Sequence, residues 1–214
     1  MIIDTSINCL GKSNFLKSKG VNTVGRYYRK ATHSERRVTK AEAQELSATG
    51  IKLFTVFEDY GKEADLVLTS AQGKIDGESA RDQARLIGQP QGTPIYFAVE
   101  GLPHGYKSGH LPAIRDYFSG VKNKIGSEFS LGVYGDGIVC RTLLAEGICK
   151  FTWLAAASTS FEGTCEFFGS KKWNLAQLPP LDIEEGWNGL RIDIDHNNAK
   201  LNGGDFGSFL VPFP

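Results

Sequence analysis

The sequence predicts an α/β chain folded as a single compact (β/α)8 barrel, a TIM-like barrel with little helix in its C-terminal third. Three observations predict it. Apolar runs of about five residues alternate with helical segments, the pattern of βα units on a parallel sheet. Several of those runs end in a carboxylate, and barrel enzymes keep their sites at the carboxyl ends of their strands. The 214 residues suffice for one substantial core, so the whole chain, residues 1–214, reads as one domain. A doubly wound open sheet is the alternative reading of the same alternation.

The elements follow in order. Ile2-Ile3-Asp4 is the first strand, residues 14–19 a short helix stopped by Gly20, and residues 21–28 the second strand. Thr39-Lys40-Ala41-Glu42 has capping-box spacing with Val38 as a staple, opening a helix that Gly50 ends. Residues 51–57 form the third strand, 61–77 a polar, Gly-containing loop, and 78–87 a helix stopped by Gly88 and Pro90. Pro94 starts the fourth strand, residues 95–100, where proline costs no ladder bond. Pro112 opens an amphipathic helix whose stripe is Ile114, Tyr117, Phe118, Val121 and Ile125. Residues 131–134 are the fifth strand, with Gly135-Asp136-Gly137 as its turn, and 138–146 a helix closed by Gly147. Strands six, seven and eight are residues 151–157, 173–178 and 190–195; residues 158–170 and 179–189 read as loops.

Composition removes several function classes. With 24 basic and 24 acidic side chains the formal net charge is zero, and no element carries a basic stripe, so nucleic acid is a poor partner. No apolar run approaches the roughly 18 residues of a membrane span. The N-terminus enters a strand at once, without the charged and apolar regions of a signal peptide. The histidines His33, His104, His110 and His196 lack metal-ligand spacing, so neither a metal nor another cofactor is expected. Cys9, Cys140, Cys149 and Cys165 form no C-x-x-C pair; Cys140 and Cys149 read as small apolar groups rather than as a disulfide. Oligomeric state is not legible.

The strand-end acids carry the chemistry. Asp4, Glu58, Glu100 and the pair Asp193 and Asp195 each close an apolar run. A charge in that place is expensive unless paired, hydrated or used. Alternation puts Ile95, Phe97 and Val99 on the helix-facing side of strand four, and Tyr96, Ala98 and Glu100 on the interior side. On strand eight it puts Asp193 and Asp195 inside. Convergent carboxylates are the requirement of glycoside hydrolysis. Blander readings stand beside this one: Asp4 as a turn cap, Asp59 as a solvated neighbour of Glu58, and Glu184-Glu185 as a surface pair. Tyr27, Tyr28, Tyr134 and Trp153 lie in or beside strand ends as candidate sugar platforms, whereas Tyr96 and Trp173 read as core. Arg26 is placed to orient a rim carboxylate, and Gln177 to contact a hydroxyl or amide.

In order, Ile3-Asp4-Thr5-Ser6, Gly25-Arg26-Tyr27, residues 94–100, Gly132-Val133-Tyr134-Gly135, Ile192-Asp193-Ile194-Asp195 and Asp205-Phe206-Gly207 resemble the glycoside-hydrolase-like TIM-barrel family once designated domain of unknown function 1906. That family is similar in turn to the family 25 muramidases, which cut peptidoglycan glycan. The resemblance covers essentially the whole chain. It implies that Asp4, Glu58, Glu100 and Asp193 or Asp195 line one cleft. Glu100 matches the proton donor of an Asp-x-Glu pair in which Ala98 replaces the aspartate, so Asp4 or Asp195 must supply the missing acid.

The expected activity is hydrolysis of cell-wall peptidoglycan, a polysaccharide substrate, with Glu100, Asp4 and Asp195 as catalytic groups. Glu58, Asp193, Arg26, Tyr28, Tyr134, Trp153 and Gln177 would contact substrate. A catalytically silent carbohydrate-binding barrel is the alternative that Ala98 favours. A phosphodiesterase, which wants paired histidines or a metal, is third. Work on a cell wall implies a place outside the cytoplasm, reached as a secretion-machine effector, a phage lysis protein or a domain of something larger.

Overall fold

Seven parallel strands succeed one another in chain order around a curled sheet: β1 (Ile2–Asp4), β2 (Thr23–Tyr28), β3 (Lys52–Phe57), β4 (Pro94–Val99), β5 (Ser130–Gly135), β6 (Phe151–Ala155) and β7 (Leu175–Leu178). An eighth, β8 (Asp195–Ala199), spans the gap between β7 and β1, antiparallel to both. The computed structural model describes residues 1–30, 36–59, 67–179, 195–199 and 205–212, with only the backbone of Asp195, His196 and Asn198. The expected barrel is therefore present as a TIM-like barrel but not as a regular ring of eight parallel βα units. The eighth strand is described over Asp195–Ala199; of the expected stretch 190–195 only Asp195 is described, and the proposed stack of Asp193 on Asp195 falls largely outside the described residues.

Helices α1 (Ser13–Ser18), α2 (Lys40–Ala48), α3 (Ser70–Ile87), α4 (Leu111–Ile125), α5 (Gly137–Ala145) and α6 (Thr164–Ser170) connect the strands. Thr39 caps α2 through the reciprocal capping box its spacing predicts, with Val38 buried before it. Two helices contradict the sequence reading. The stretch read as a loop over 61–77 contains the first eight residues of α3, capped by Thr69, whose hydroxyl accepts from the Gln72 N–H at 3.2 Å. Glycine hides this helix because its propensity is poor, yet packing demands it. A Cβ on Gly73 would fall 2.0 Å from the Tyr117 carbonyl oxygen, and one on Gly120 would fall 2.1 Å from that of Ser70. The second missed helix is α6, inside the supposed loop 158–170.

Strand alternation divides the apolar side chains into two bodies. Ile95, Phe97 and Val99 join the core between sheet and helices, while Tyr96 and Ala98 point inward with Phe54, Val56, Trp153 and Leu175. Inside, large rings stand opposite small residues: a Cβ on Gly25 would meet the Phe54 ring at 2.3 Å, and one on Gly132 the Tyr96 ring at 2.8 Å. Phe54, Tyr96 and Trp153 meet edge to face at 5.2–6.4 Å. The C-terminal segment stoppers the end of the barrel where the parallel strands begin. Phe206 packs edge to face on Phe54, its carbonyl accepts from the Tyr96 hydroxyl at 2.9 Å, and Phe209 bridges to Leu53. The interior is filled from that end, which leaves the opposite mouth for a cleft.

All four cysteines are free, with Cys9, Cys140 and Cys149 buried and Cys165 exposed. Burial pushes the Cys9 thiol up to about 11, against the opposing charge of Arg26, and raises Cys140 and Cys149 well above the ordinary thiol value. The thiolate is the reactive form. Titration with a disulfide reagent at neutral pH should therefore find one fast thiol per native chain and all four after denaturation; fast loss of a second native thiol would contradict this packing.

Candidate active site

The mouth formed by the carboxyl ends of the parallel strands opens into a cleft of about 680 Å3, within the range of small-molecule sites. Glu58, Glu100, Tyr106, Tyr134, Asp136 and Gln177 line it. Each follows from strand parity or from the turn just after a strand. Tyr134 and Gln177 are the last inward residues of β5 and β7. Glu58 stands two residues past the inward Val56, and Glu100 two past the inward Ala98. The chain leaves β4 at that point: Gly101 has φ of +107°, a conformation that favours glycine, and the Tyr106 hydroxyl donates to the Glu100 carbonyl at 3.2 Å. Glu100 thus lies beyond the strand rather than within it, and it is exposed to the cleft rather than buried in the interior.

Asp4 lies at the inner end of a buried hydrogen-bonded chain that reaches the cleft. It is 1% exposed. Its Oδ1 accepts from the Tyr27 hydroxyl at 2.9 Å, and its Oδ2 from Asn197 Nδ2 at 2.7 Å and Gln177 Nε2 at 3.3 Å. The Tyr134 hydroxyl donates to Gln177 Oε1 at 2.8 Å, and Trp153 Nε1 donates to Asn197 Oδ1 at 2.8 Å. A carboxylate so supplied with donors is fixed in orientation. Burial first, then the charges of Asp4 and Glu58, push the Tyr27 phenol well above its ordinary value, so it stays a donor. Chemically, the arrangement offers an exposed carboxylate at one side of the cleft and a buried one whose charge is relayed to the floor by Gln177 and Tyr134.

Asp136, which the sequence reading treated only as turn, lines the cleft but spends its oxygens on structure. Oδ1 accepts from the Val139 N–H at 3.2 Å as the cap of α5, and Oδ2 from the Tyr106 N–H at 2.7 Å. Burial raises its carboxyl above the ordinary value although both backbone donors oppose that.

Three expected substrate contacts lie elsewhere. Arg26 points out of the barrel and pairs with Glu42 on α2 at 2.7 Å, both side chains fully buried, so it orients no rim carboxylate. Tyr28 faces the same outer layer and donates to Gln89 Oε1 at 2.6 Å. Trp153 is 1% exposed in the barrel interior, its ring 4.4 Å from that of Tyr134, and bears on the cleft through that contact and its bond to Asn197. Asp59 is buried rather than solvated, accepting from the Lys30 N–H at 2.7 Å. Asp195 is placed by backbone alone, in register with Asp4, while Asp193 lies outside the described residues. Tyr96 and Trp173 are core, as read; the Trp173 ring stacks on Phe168 at 5.6 Å.

The residues that sequence reasoning missed are Asn197, Asp136, Arg29 and Arg36. Asn197 was hidden because β8 runs antiparallel and includes residues beyond 195. The two arginines were hidden because they follow β2 in a segment without periodicity. Among the described residues no cluster of three His, Cys, Asp or Glu could hold a metal ion, and no helix is long and apolar enough to cross a membrane.

The family described as Rv2525c-like, glycoside hydrolase-like domain, matches residues 14–199. The chain belongs to this family. Two proteins of Bacillus subtilis (strain 168), both named as uncharacterized, are similar to this Rv2525c-like chain. YbfG is 29% identical over 205 residues, covering 90% of this chain and 28% of YbfG. FadG is 25% identical over 199 residues, covering 90% of this chain and 34% of FadG. The chain thus spans about a third or less of the relatives it matches. Among solved structures, the Tat-secreted protein Rv2525c of Mycobacterium tuberculosis, in complex with L-tartrate, superposes with a TM-score of 0.78 at 18% identity over 97% of both chains. The modular autolysin LytC of Streptococcus pneumoniae, in complex with a synthetic peptidoglycan ligand, gives 0.51 at 16% identity over 92% of this chain and 46% of that one. This glycoside-hydrolase-like domain therefore shares its fold with a part of the autolysin LytC.

Proposed function

We propose that this chain is one barrel unit that hydrolyses the glycan of bacterial cell-wall peptidoglycan, with Glu100 as proton donor. The observation that carries the reading is the cleft: exposed Glu100, Glu58 and the Asp4–Gln177–Tyr134 chain open onto one mouth. In the proposed step Glu100 protonates the departing glycosidic oxygen as the C–O bond breaks and the sugar acquires oxocarbenium character; water then adds to the anomeric carbon and its proton returns to the Glu100 carboxylate. Asp4, too deep to touch the ring, stabilises that charge through Gln177 and Tyr134 as a positioning residue. Family membership supports the reading, and so does the shared fold with LytC, a protein that is itself seen with a peptidoglycan ligand.

Ala98 favours a second reading. It points inward beside Tyr134, at the position where the muramidases that the sequence resembles carry an acid. A barrel lacking that acid would hold glycan strands without cutting them. Incubation with purified peptidoglycan separates the two. The hydrolase releases new reducing ends in proportion to enzyme and time, whereas saturable binding with none released selects the binding barrel and ends the catalytic proposal.

A further inference from the structure

The wall of the cleft beyond β2 carries Arg29 and Arg36. Arg29 has a side chain only 9% exposed, its guanidinium carbon 5.2 Å from the centre of the Tyr27 ring. Its Nη2 meets Glu58 Oε1 at 3.3 Å, a long contact for a charged pair, and its Nε has no hydrogen-bond partner among the described residues. A buried guanidinium N–H without an acceptor, on a residue that lines the cleft, is costly, and such an orphan is explained when a ligand that reorders the guanidinium supplies the missing oxygen.

Packing fixes the place of this orphan. The Arg29 backbone N–H donates to Gln83 Oε1 at 3.0 Å, and the ring beneath is held by Asp4. Arg36 is anchored too: its carbonyl accepts from Arg26 Nη2 at 3.4 Å, a member of the buried Arg26–Glu42 pair. Of the acids in the cleft, Glu58 already faces Arg29, and Asp136 is committed to two backbone donors. Among the described residues the arginine wall therefore carries two cations against one carboxylate, on the side of the cleft that β2 and β3 build. Glu100 stands on the side built by β4.

We propose that the cleft selects a sugar unit bearing a free carboxylate, which docks on the guanidinium groups of Arg29 and Arg36 at the cleft wall, so that the pyranose ring lies toward Glu100. A guanidinium edge matches the two coplanar oxygens of a carboxylate, and an amide or ester loses both the charge and one acceptor. The inference rests on the glycan reading and narrows it. Two sugars supply this chemistry: a muramic acid whose lactyl carboxylate has been freed of its stem peptide, and a uronic acid.

The test measures calorimetric binding to four oligosaccharides: peptide-free muramic-acid glycan, its carboxyl methyl ester, an oligouronide and the oligouronide's methyl ester. At least one free acid should bind tenfold or more tighter than its own ester, and the tighter of the two acids names the source. Arg29→Gln should abolish that ratio, and the exposed Arg36→Gln should reduce it in a chain whose fold is not at risk. Equal binding of acids and esters overturns this inference and leaves the glycan reading standing. No binding to any of the four overturns both.

Discussion

Glu100→Gln should cut the release of reducing ends from purified peptidoglycan by roughly 10²–10⁴-fold, the usual contribution of a general acid. The substitution keeps the shape and hydrogen-bonding reach of the side chain and removes only its exchangeable proton. Glu100 is exposed and its strand ends one residue before it, so the thermal midpoint should stay within a degree or two. Binding of glycan strands should persist, because the loss belongs to the transition state rather than to the ground state. Glu58→Gln behaves differently under the same assay. It removes the carboxylate charge that Arg29 faces at 3.3 Å and leaves both arginines to an acidic ligand, so it should shift glycan binding more than turnover. Undiminished activity in the Glu100 variant, with activity lost in the Glu58 variant, would transfer the donor role to Glu58.

What could be read from the sequence was what local periodicity determines. The strands β1 to β7, the capping box at Thr39 and the inward parity of Tyr96 and Ala98 all follow from patterns within ten residues, and the structure reproduces them. Failures began where a distant partner decided the outcome. Gly73 and Gly120 are small because α3 and α4 approach closely, a fact written in neither helix alone. Arg26 looked like a rim residue because its strand position was right, but parity sends it outward, and only α2 reveals the acid waiting there. The buried chain from Asp4 through Gln177 to Tyr134 joins β1, β5 and β7, residues separated by up to 173 positions. Its members could be named as candidates one at a time, but the order in which they hydrogen-bond could not. The direction of β8 was equally hidden, because an antiparallel strand and a parallel one share the same alternation.

Removing the Glu42 carboxylate should be among the most damaging single changes outside the cleft. Both members of the Arg26–Glu42 pair are fully buried. Glu42 Oε1 accepts from Arg26 Nε at 2.7 Å and from the Cys9 N–H at 2.8 Å, and Oε2 lies 3.4 Å from the Thr39 N–H in the capping box. Arg26 in turn donates to the carbonyls of Thr5, next to Asp4, and Arg36, on the cleft wall. Glu42→Ala leaves a buried cation and two backbone donors without their acceptor, a loss of about 3–5 kcal/mol. For a chain of this size that lowers the thermal midpoint by on the order of 10 °C. Desolvating two charges is itself expensive, so a well-packed apolar replacement of both should do much better than the single change. Arg26→Met combined with Glu42→Leu should recover most of the midpoint in thermal unfolding, yet lose affinity for acidic glycan because the tether to the Arg36 carbonyl is gone. If the double variant is as unstable as the single one, the backbone contacts to Cys9, Thr5 and Arg36 outweigh the charge pairing; if Glu42→Ala barely shifts the midpoint, the buried pair is not holding α2 to the barrel.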